Sequence, residues 1–159
     1  MSGISKNVNP VRIGLRPGTL EDREYLWWLH RETMRDYVDK TWGWDEAFQR
    51  GRFDDNFDPL SLLIIQRDSE PIGYISIRRP GDEIFLAAIE IAPAQQNQGI
   101  ASQLINELLD EADRSRLPVK LSVLKINPAR RLYERLGFQC TGETSTHYLM
   151  TRDPARAGE

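Results

Sequence analysis

A glycine-containing turn at residues 95–102 is the first part of the sequence whose residue types and spacing could do chemistry. It reads QQNQGIAS and leads from the apolar segment IEIAP into an amphipathic helical pattern. The first N–H groups of such a helix lack intrahelical partners, and the helix dipole adds partial positive charge beside them. Gly99 allows a ligand close to the backbone, and no Gly-Lys-Ser/Thr follows it as in a P-loop. The turn therefore predicts a pyrophosphate site, with a bend that binds nothing as the alternative.

The segment NPARRLYERLGF at 127–138 is the second chemical feature. Asn127 can cap the predicted helix and still offer its amide to a ligand, while Tyr133 lies about two turns into that helix. A phenol with an ordinary pKa of about 10 is protonated at neutral pH and can act as a general acid. The alternatives are a simple cap and a half-buried helix residue.

Glu90 is a single carboxylate within the apolar segment AAIEIA. Alternation along a strand places it on the face opposite Ile89 and Ile91, which makes it a candidate general base. A solvated, outward-facing glutamate is an equal alternative. His30 and His147 are further candidate bases, although lone histidines more often satisfy local hydrogen bonds.

The tryptophan-rich stretch YVDKTWGWDEAFQ at 37–49 could bind a cationic group. Trp42 and Trp44 would supply cation–π attraction, and Asp45 and Glu46 would supply carboxylates. In the alternative, the tryptophans fix the loop to the core and the acids occupy the first turn of a helix.

The elements that must position these residues follow from the hydrophobic pattern. Strands are predicted at 11–16, 60–67, 71–79, 83–92 and 119–124, with a closing hairpin, and helices at 20–36, 45–53, 100–114 and 128–136. The polar turns DSE and PGD predict an antiparallel meander, and the strand–helix–strand unit at 83–124 predicts a parallel crossover. The fold class is therefore α/β, with a mixed, mostly antiparallel central sheet flanked by helices.

Composition bounds the domain count and the classes of partner. The 159 residues predict one domain at 11–152 with a flexible N-terminus at 1–10 and a flexible tail at 153–159. A net charge of -3 and a pI near 5.5 argue against nucleic acid as the main partner. No apolar run is long enough to cross a membrane, and one cysteine with two histidines cannot form a Cys/His metal site. A reducing cytoplasm is the expected location, with Cys140 as a packed thiol.

In this order of elements and motifs the sequence resembles the GNAT superfamily of N-acetyltransferases. The family's acyl-CoA motif, Gln/Arg-x-x-Gly-x-Gly/Ala, stands here as Gln96-Asn97-Gln98-Gly99-Ile100-Ala101. The resemblance covers nearly the whole chain in element order and is specific across about 89–138. It implies acetyl-CoA as co-substrate and no metal. The implied cofactor-binding residues are Ile91, Ala92, Gln96, Gln98, Gly99, Ile100, Ala101, Ser102 and Asn127.

The resemblance also implies a reaction path. The strand segment 90–92 would carry a bulge and splay from the next strand, so that a backbone N–H near Ile91 supports the developing oxyanion. The amine would attack the thioester directly, with Tyr133 as the acid for the leaving thiolate. Glu90, from its place on the apolar strand, is the candidate base for this path, directly or through water. Cys140 would have no covalent role. The ribosomal-protein N-terminal acetyltransferases place a glutamate base five residues before the asparagine, where this chain has Ser122, which argues against that substrate class.

These features predict an acetyl-CoA-dependent N-acetyltransferase that acts on a primary amine of a small molecule or on an exposed protein or peptide amino group. Trp42, Trp44 and Glu46 are the predicted acceptor contacts, and a homodimer is a further possibility. A noncatalytic acyl-CoA-binding sensor on the same fold is the alternative, because a fold does not determine activity.

Overall fold

A computed structural model describes residues 12–155 of the chain. The predicted flexible N-terminus at 1–10 lies outside the described residues, and so do residues 156–159 of the predicted tail. The part of the tail that is described contacts the domain, since the backbone N–H of Ala155 donates to the carboxylate of Asp113 at 2.9 Å.

The described part of the chain contains seven strands and four α-helices. The strands are β1 (Ile13–Pro17), β2 (Leu63–Arg67), β3 (Glu70–Arg78), β4 (Ile84–Ile91), β5 (Val119–Leu124), β6 (Gln139–Glu143) and β7 (His147–Arg152). The helices are α1 (Arg23–Trp42), α2 (Glu46–Asn56), α3 (Ile100–Ser115) and α4 (Ala129–Arg135). Every predicted element is present, and their order is confirmed.

Helix α1 is six residues longer at its C-terminal end than the predicted 20–36, because it continues from residue 37 to Trp42. It stops at Gly43, whose φ of 85° no residue with a side chain adopts readily. At the other end, Asp22 accepts a hydrogen bond from the Thr19 backbone N–H at 2.8 Å, as in a capping box. Its bidentate pair with Arg16 ties the start of α1 to β1.

The strands form one sheet in the order β1-β2-β3-β4-β5-β7-β6. The β4–β5 pair is parallel and the other neighbouring pairs are antiparallel, so the predicted mixed, mostly antiparallel sheet is confirmed. Strands β4 and β5 pair only at Ile84 with Val119 and Phe85 with Lys120. Beyond Phe85 the two central strands are splayed, which leaves one edge of β4 open.

The irregularity in β4 lies earlier than the predicted 90–92 segment. The register with β3 shifts between Ser76, which pairs with Ala88, and Ile77, which pairs with Leu86, so that Ala87 is the extra residue. Residues 90 and 91 themselves pair regularly with Tyr74 and Gly73. Burial explains why the bulge lies at Ala87. The extra residue there allows the apolar side chains before and after it to face the same hydrophobic core.

Two hydrophobic clusters lie on opposite faces of the sheet. The larger one packs α3 and α4 against the central strands, and Ile84, Leu86, Ile89 and Ile91 of β4 all contribute to it. The smaller one packs Leu26 and Leu29 of α1 against Ile64. Helices therefore flank both faces of the sheet, and a gap between β4 and β5 connects the faces.

Among residues 12–155, no helix is both long enough and apolar enough to span a membrane. The expected cytoplasmic location stays a prediction.

Candidate active site

An open cavity of about 930 Å³ lies at the gap between β4 and β5 and extends along α1 and α2. Polar side chains line one part of the cavity. They come from the central strands, from α4 and from the segment that leads into α4, and they are Glu90, Ser122, Asn127 and Tyr133. Aromatic side chains from α1, α2 and the residue after α2 line the other part, namely Trp42, Phe48, Phe53 and Phe57. The structure thus brings the three residues predicted for chemistry, Glu90, Asn127 and Tyr133, around one cavity.

Tyr133 reaches the cavity from α4 and is only 9% exposed. Its ring packs edge-on against Phe138, with 5.9 Å between the ring centroids. Burial raises the pKa of Tyr133 to about 12. The phenol therefore keeps its proton across the neutral range and is available as a proton donor.

Asn127 stands between β5 and α4. Its side-chain oxygen accepts a hydrogen bond from the Ala129 backbone N–H at 2.9 Å, and its own backbone N–H donates to the Leu124 carbonyl at 2.9 Å. Capping of α4 thus uses the oxygen of the side chain and leaves its NH₂ group available to a ligand in the cavity.

Glu90 is not the solvated surface glutamate of the alternative interpretation, because its side chain is only 12% exposed. Thr33 of α1 donates to Oε1 at 2.7 Å, and Tyr74 of β3 donates to Oε2 at 3.3 Å. Burial, together with the neighbouring Glu90 charge, raises the pKa of Tyr74 well above its ordinary value, so Tyr74 remains a donor. His30 Nδ1 lies 3.8 Å from Oε2, which is too far for a hydrogen bond.

The backbone of Ile91 faces the gap. The Ala92 N–H donates to the Ile72 carbonyl of β3 at 2.8 Å, and successive N–H groups of a strand point to opposite sides. The Ile91 N–H therefore points away from β3, toward the side where β5 has separated. The Gln96 side chain donates to the Ile91 carbonyl at 2.9 Å, which shows that this carbonyl points the same way.

The turn that leads into α3 presents backbone rather than side chains. Gly99, with a φ of 81°, precedes the first helical residue Ile100, and Gln103 N–H makes the first hydrogen bond back, to the Gly99 carbonyl at 3.0 Å. The N–H groups of residues 100–102 thus precede the intrahelical series. A side-chain carbon at Gly99 would meet nothing within 4 Å, so the space before the turn is open. This geometry suits an anion.

Residues 23–138, well over half of the chain, match the model of the acetyltransferase (GNAT) family. The chain belongs to the GNAT family. The GNAT match includes both motifs, the α3 turn and the segment from Asn127 to Phe138. The resemblance that the motifs indicated is confirmed.

The proteins to which this GNAT chain is similar carry different names. Mycothiol acetyltransferase from Brachybacterium faecium is 35% identical over 95 residues, which cover 54% of this chain and 28% of that protein. The match thus spans about a quarter of the length of this curated relative. The crystal structure of the PaiA N-acetyltransferase from Thermoplasma acidophilum with coenzyme A has a TM-score of 0.73 at 18% identity, over 89% of this chain and 99% of that one.

The ribosomal-protein-S18-alanine N-acetyltransferase from Escherichia coli has a TM-score of 0.65 at 19% identity, over 93% of this chain and 97% of that one. At such identities the structural likeness establishes the fold. Together with the family match, it identifies the described part of the chain as a domain of the acetyltransferase (GNAT) family with the fold of that family.

Of the three predicted acceptor contacts in this GNAT domain, Trp42 lines the cavity, while Trp44 and Glu46 do not. Trp44 stacks on Trp27 with 6.0 Å between the ring centroids and donates to Glu46 Oε1 at 2.8 Å. The Glu46 carboxylate also pairs with Arg31 at 3.4 Å. Both residues thus connect α2 with α1, and Glu46 occupies the first turn of α2, as the alternative interpretation expected.

Asp45, next to Trp44, does line the cavity, and its side chain caps α2 through the Phe48 N–H at 2.9 Å.

Sequence reasoning missed three residues of the GNAT site. Thr33 and Tyr74 hold Glu90, and Arg67 of β2 donates to the side chains of Gln95 and Gln98 at 2.7 and 2.6 Å, which braces the α3 turn. Strand pairing could have indicated Tyr74, because it lies directly opposite Glu90 in the β3–β4 register. Thr33 and Arg67 carry no local sequence signal.

The expectation of a packed thiol at Cys140 is wrong. Cys140 is exposed on β6, which is the last strand of the sheet, and it does not line the cavity. Its thiol contacts the Gly142 carbonyl at 3.3 Å.

Proposed function

We propose that the protein is an acetyl-CoA-dependent N-acetyltransferase that moves an acetyl group directly to a primary amine of a small molecule or to an exposed protein or peptide amino group. One observation carries the proposal: a buried tyrosine and a hydrogen-bonded carboxylate line the same cavity, at the gap between β4 and β5. An acid and a base on one cavity are what amide formation from a thioester and an amine requires.

Acetyl-CoA would enter from the α3 side. The open space before Gly99 and the N–H groups of residues 100–102 suit the pyrophosphate. The predicted cofactor residues Ala92, Gln96 and Gln98 would act by shaping this turn, since both glutamine side chains contact the protein itself. Asn127 would offer its NH₂ group to the CoA arm on the way into the cavity.

The reaction needs no covalent enzyme intermediate. The amine gives a proton to Glu90, directly or through water, and its nitrogen attacks the thioester carbonyl carbon. The Ile91 N–H donates to the oxygen on which charge develops. The C–S bond then breaks, and Tyr133 gives its proton to the thiolate, so that CoA leaves as the thiol. The proton held by Glu90 returns to Tyr133 through solvent, which restores the enzyme.

The acceptor would bind on the side of α1 and α2. Trp42 is 60% exposed and Phe48 is 62% exposed, and both line the cavity. Large exposed aromatic side chains at a cavity suit an amine that carries an apolar body. The relatives' names refer to unrelated compounds, mycothiol in one and the alanine of a ribosomal protein in the other, so the acceptor class is inferred from the cavity alone.

The experiment that tests the proposal measures CoA thiol release from acetyl-CoA with a panel of amines and peptides. Apolar monoamines, polyamines and peptides with free N-termini should all be included. We expect release above the amine-free rate with at least one class, together with the matching N-acetyl product by mass spectrometry. Tight acetyl-CoA binding without release on any acceptor would support the noncatalytic sensor instead.

A further inference from the structure

Thr33 stands between two hydrogen-bond acceptors. Its Oγ1 lies 2.9 Å from the Leu29 carbonyl, one turn earlier in α1, and 2.7 Å from Glu90 Oε1, which is 57 positions away in the sequence. A hydroxyl has one hydrogen to donate and two lone pairs that accept. The ionised Glu90 and the Leu29 carbonyl therefore compete for one hydrogen.

Protonation of Glu90 removes this competition. A protonated carboxyl can place its hydrogen on Oε1 and donate to Thr33 Oγ1, while the Thr33 hydrogen turns to the Leu29 carbonyl. Each group then has a partner, and no proton leaves Thr33. The same hydroxyl thus serves as donor to the ionised carboxylate and as acceptor from the protonated one.

We propose that Thr33 is a positioning residue, whose hydroxyl partners Glu90 in both protonation states and so holds the carboxyl in place while it takes a proton from the acceptor amine. The inference rests on the proposed function, in which Glu90 is the general base. A base that lost its hydrogen-bond partner on protonation would resist that step, because an unsatisfied buried polar group is costly.

Thr33 differs in this respect from the other groups that face Glu90. His30 Nδ1, at 3.8 Å from Oε2, is beyond hydrogen-bond distance. Tyr74 donates at a longer 3.3 Å and, within the described residues, its hydroxyl has no second acceptor to turn to. Of these three groups, Thr33 is therefore the one that can partner Glu90 in both protonation states.

Helix α1 also offers a matched control. Thr41 Oγ1 donates to the Tyr37 carbonyl at 2.8 Å, one turn earlier, as Thr33 does to Leu29. In residues 12–155 no carboxylate accepts from Thr41. Replacement of either threonine by valine removes the same helix contact, but only the change at position 33 affects Glu90.

The test is steady-state kinetics of Thr33→Val, Thr33→Ser and Thr41→Val with an amine that the wild type acetylates. Loss of a hydrogen bond to a charged group corresponds to about tenfold to a hundredfold in rate. We expect Thr33→Val to lower kcat by that factor with the KM for acetyl-CoA unchanged. Serine should restore most of the rate, and Thr41→Val should match the wild type.

A double-mutant cycle with Glu90→Gln separates the possible failures. In that background Thr33→Val should add no further loss. An equal loss in both backgrounds, or wild-type kcat in Thr33→Val while Glu90→Gln is impaired, would overturn the role of Thr33 alone. A Glu90→Gln variant that keeps wild-type kcat would overturn the base and Thr33 together. A wild type that acetylates no amine would overturn the proposed function itself.

Discussion

Tyr133 and Glu90 come from opposite sides of the sheet. Tyr133 belongs to the hydrophobic cluster under α3 and α4, whereas Glu90 is held by Thr33 of α1 and by Tyr74. They line one cavity because β4 and β5 separate beyond Phe85. The proposed acid and base thus approach one reacting centre from two sides, which suits a base beside the attacking amine and an acid beside the departing sulfur.

Replacement of Tyr133 by phenylalanine tests the acid. The variant keeps the ring that packs on Phe138 and loses only the hydroxyl. We expect kcat to fall by about a hundredfold or more, the usual range for a general acid, with the acetyl-CoA Kd unchanged. Kinetics and calorimetric titration measure the two quantities.

The acid role of Tyr133 also predicts how the wild-type rate depends on pH. The acid works in its protonated form, which is lost only as pH rises through about 12. The wild-type rate should therefore show no alkaline decline due to Tyr133 up to about pH 10. Tyr25→Phe is the matched control, because burial also raises the pKa of Tyr25 to about 12, and Tyr25 does not line the cavity. Equal kinetics of both variants would contradict the acid role.

At the residue scale, the sequence could predict groups that stand in motifs and could not predict their neighbours. Asn127 and Tyr133 share one short segment with a helix start and a glycine end, so the pattern predicted their positions at and within α4, while their roles came from the resemblance to the GNAT superfamily. Thr33 meets Glu90 through a contact that spans 57 positions, and no local pattern encodes it. Trp44 and Glu46 were predicted as acceptor contacts but do not line the cavity. Their residue types suit a cation, but the direction of their side chains depends on how α2 packs on α1.

At the element scale, the hydrophobic pattern of β4 indicates the position of its bulge as well as the strand itself. In IFLAAIEI the core residues fall at 84 and 86 and then at 89 and 91, so the alternation slips by one position between them. That slip is the bulge at Ala87. The hydrophobic pattern of β4 therefore indicates where the bulge lies. The separation of β4 from β5 depends on how these two strands pair, and the sequence of one strand does not indicate that.

The start of α3 is the element on which acetyl-CoA binding should depend most. We expect Gly99→Val to raise the acetyl-CoA Kd by about tenfold or more, because a side chain at a φ of 81° strains the turn and fills the space before it. Titration with acetyl-CoA measures the change. The same variant should also lose about 1–2 kcal/mol of unfolding free energy.

Gly81→Val separates strain from binding. Gly81 has a φ of 121°, and a side-chain carbon there would also meet nothing within 4 Å, but it lies in the turn between β3 and β4. We expect a similar loss of stability and an unchanged acetyl-CoA Kd. If the Gly99 variant kept wild-type affinity, the pyrophosphate assignment would be wrong.

At the scale of the whole molecule, stability against acid depends on carboxylates such as Asp22, which is buried where β1 meets α1. Hydrogen bonds from Arg16 and from the Thr19 backbone lower the pKa of Asp22, although burial opposes them. A lowered folded-state pKa stabilises the fold above the unfolded value of about 4, and that contribution is lost as pH falls through the folded value.

Asp22→Asn should therefore lower the free energy of unfolding by about 2 kcal/mol at neutral pH, and the difference from the wild type should shrink as pH falls below about 4. Urea unfolding at several pH values measures both effects. Asp36→Asn, at an exposed position of α1, should change stability by less than about 0.5 kcal/mol. A constant difference between wild type and Asp22→Asn at every pH would contradict the assignment.

Direct transfer of the acetyl group is the central claim for the molecule as an enzyme. It is tested by a single turnover, with the protein in excess over acetyl-CoA that carries an isotopic label in its carbonyl carbon, in the presence of an acceptor amine. We predict that the label moves from CoA to the amine nitrogen, one acetyl group for each CoA released, and that intact-protein mass spectrometry finds none on the protein. Label on a side chain such as the exposed Cys140 before it reaches the amine, or bound acetyl-CoA that transfers its label to no amine, would contradict it.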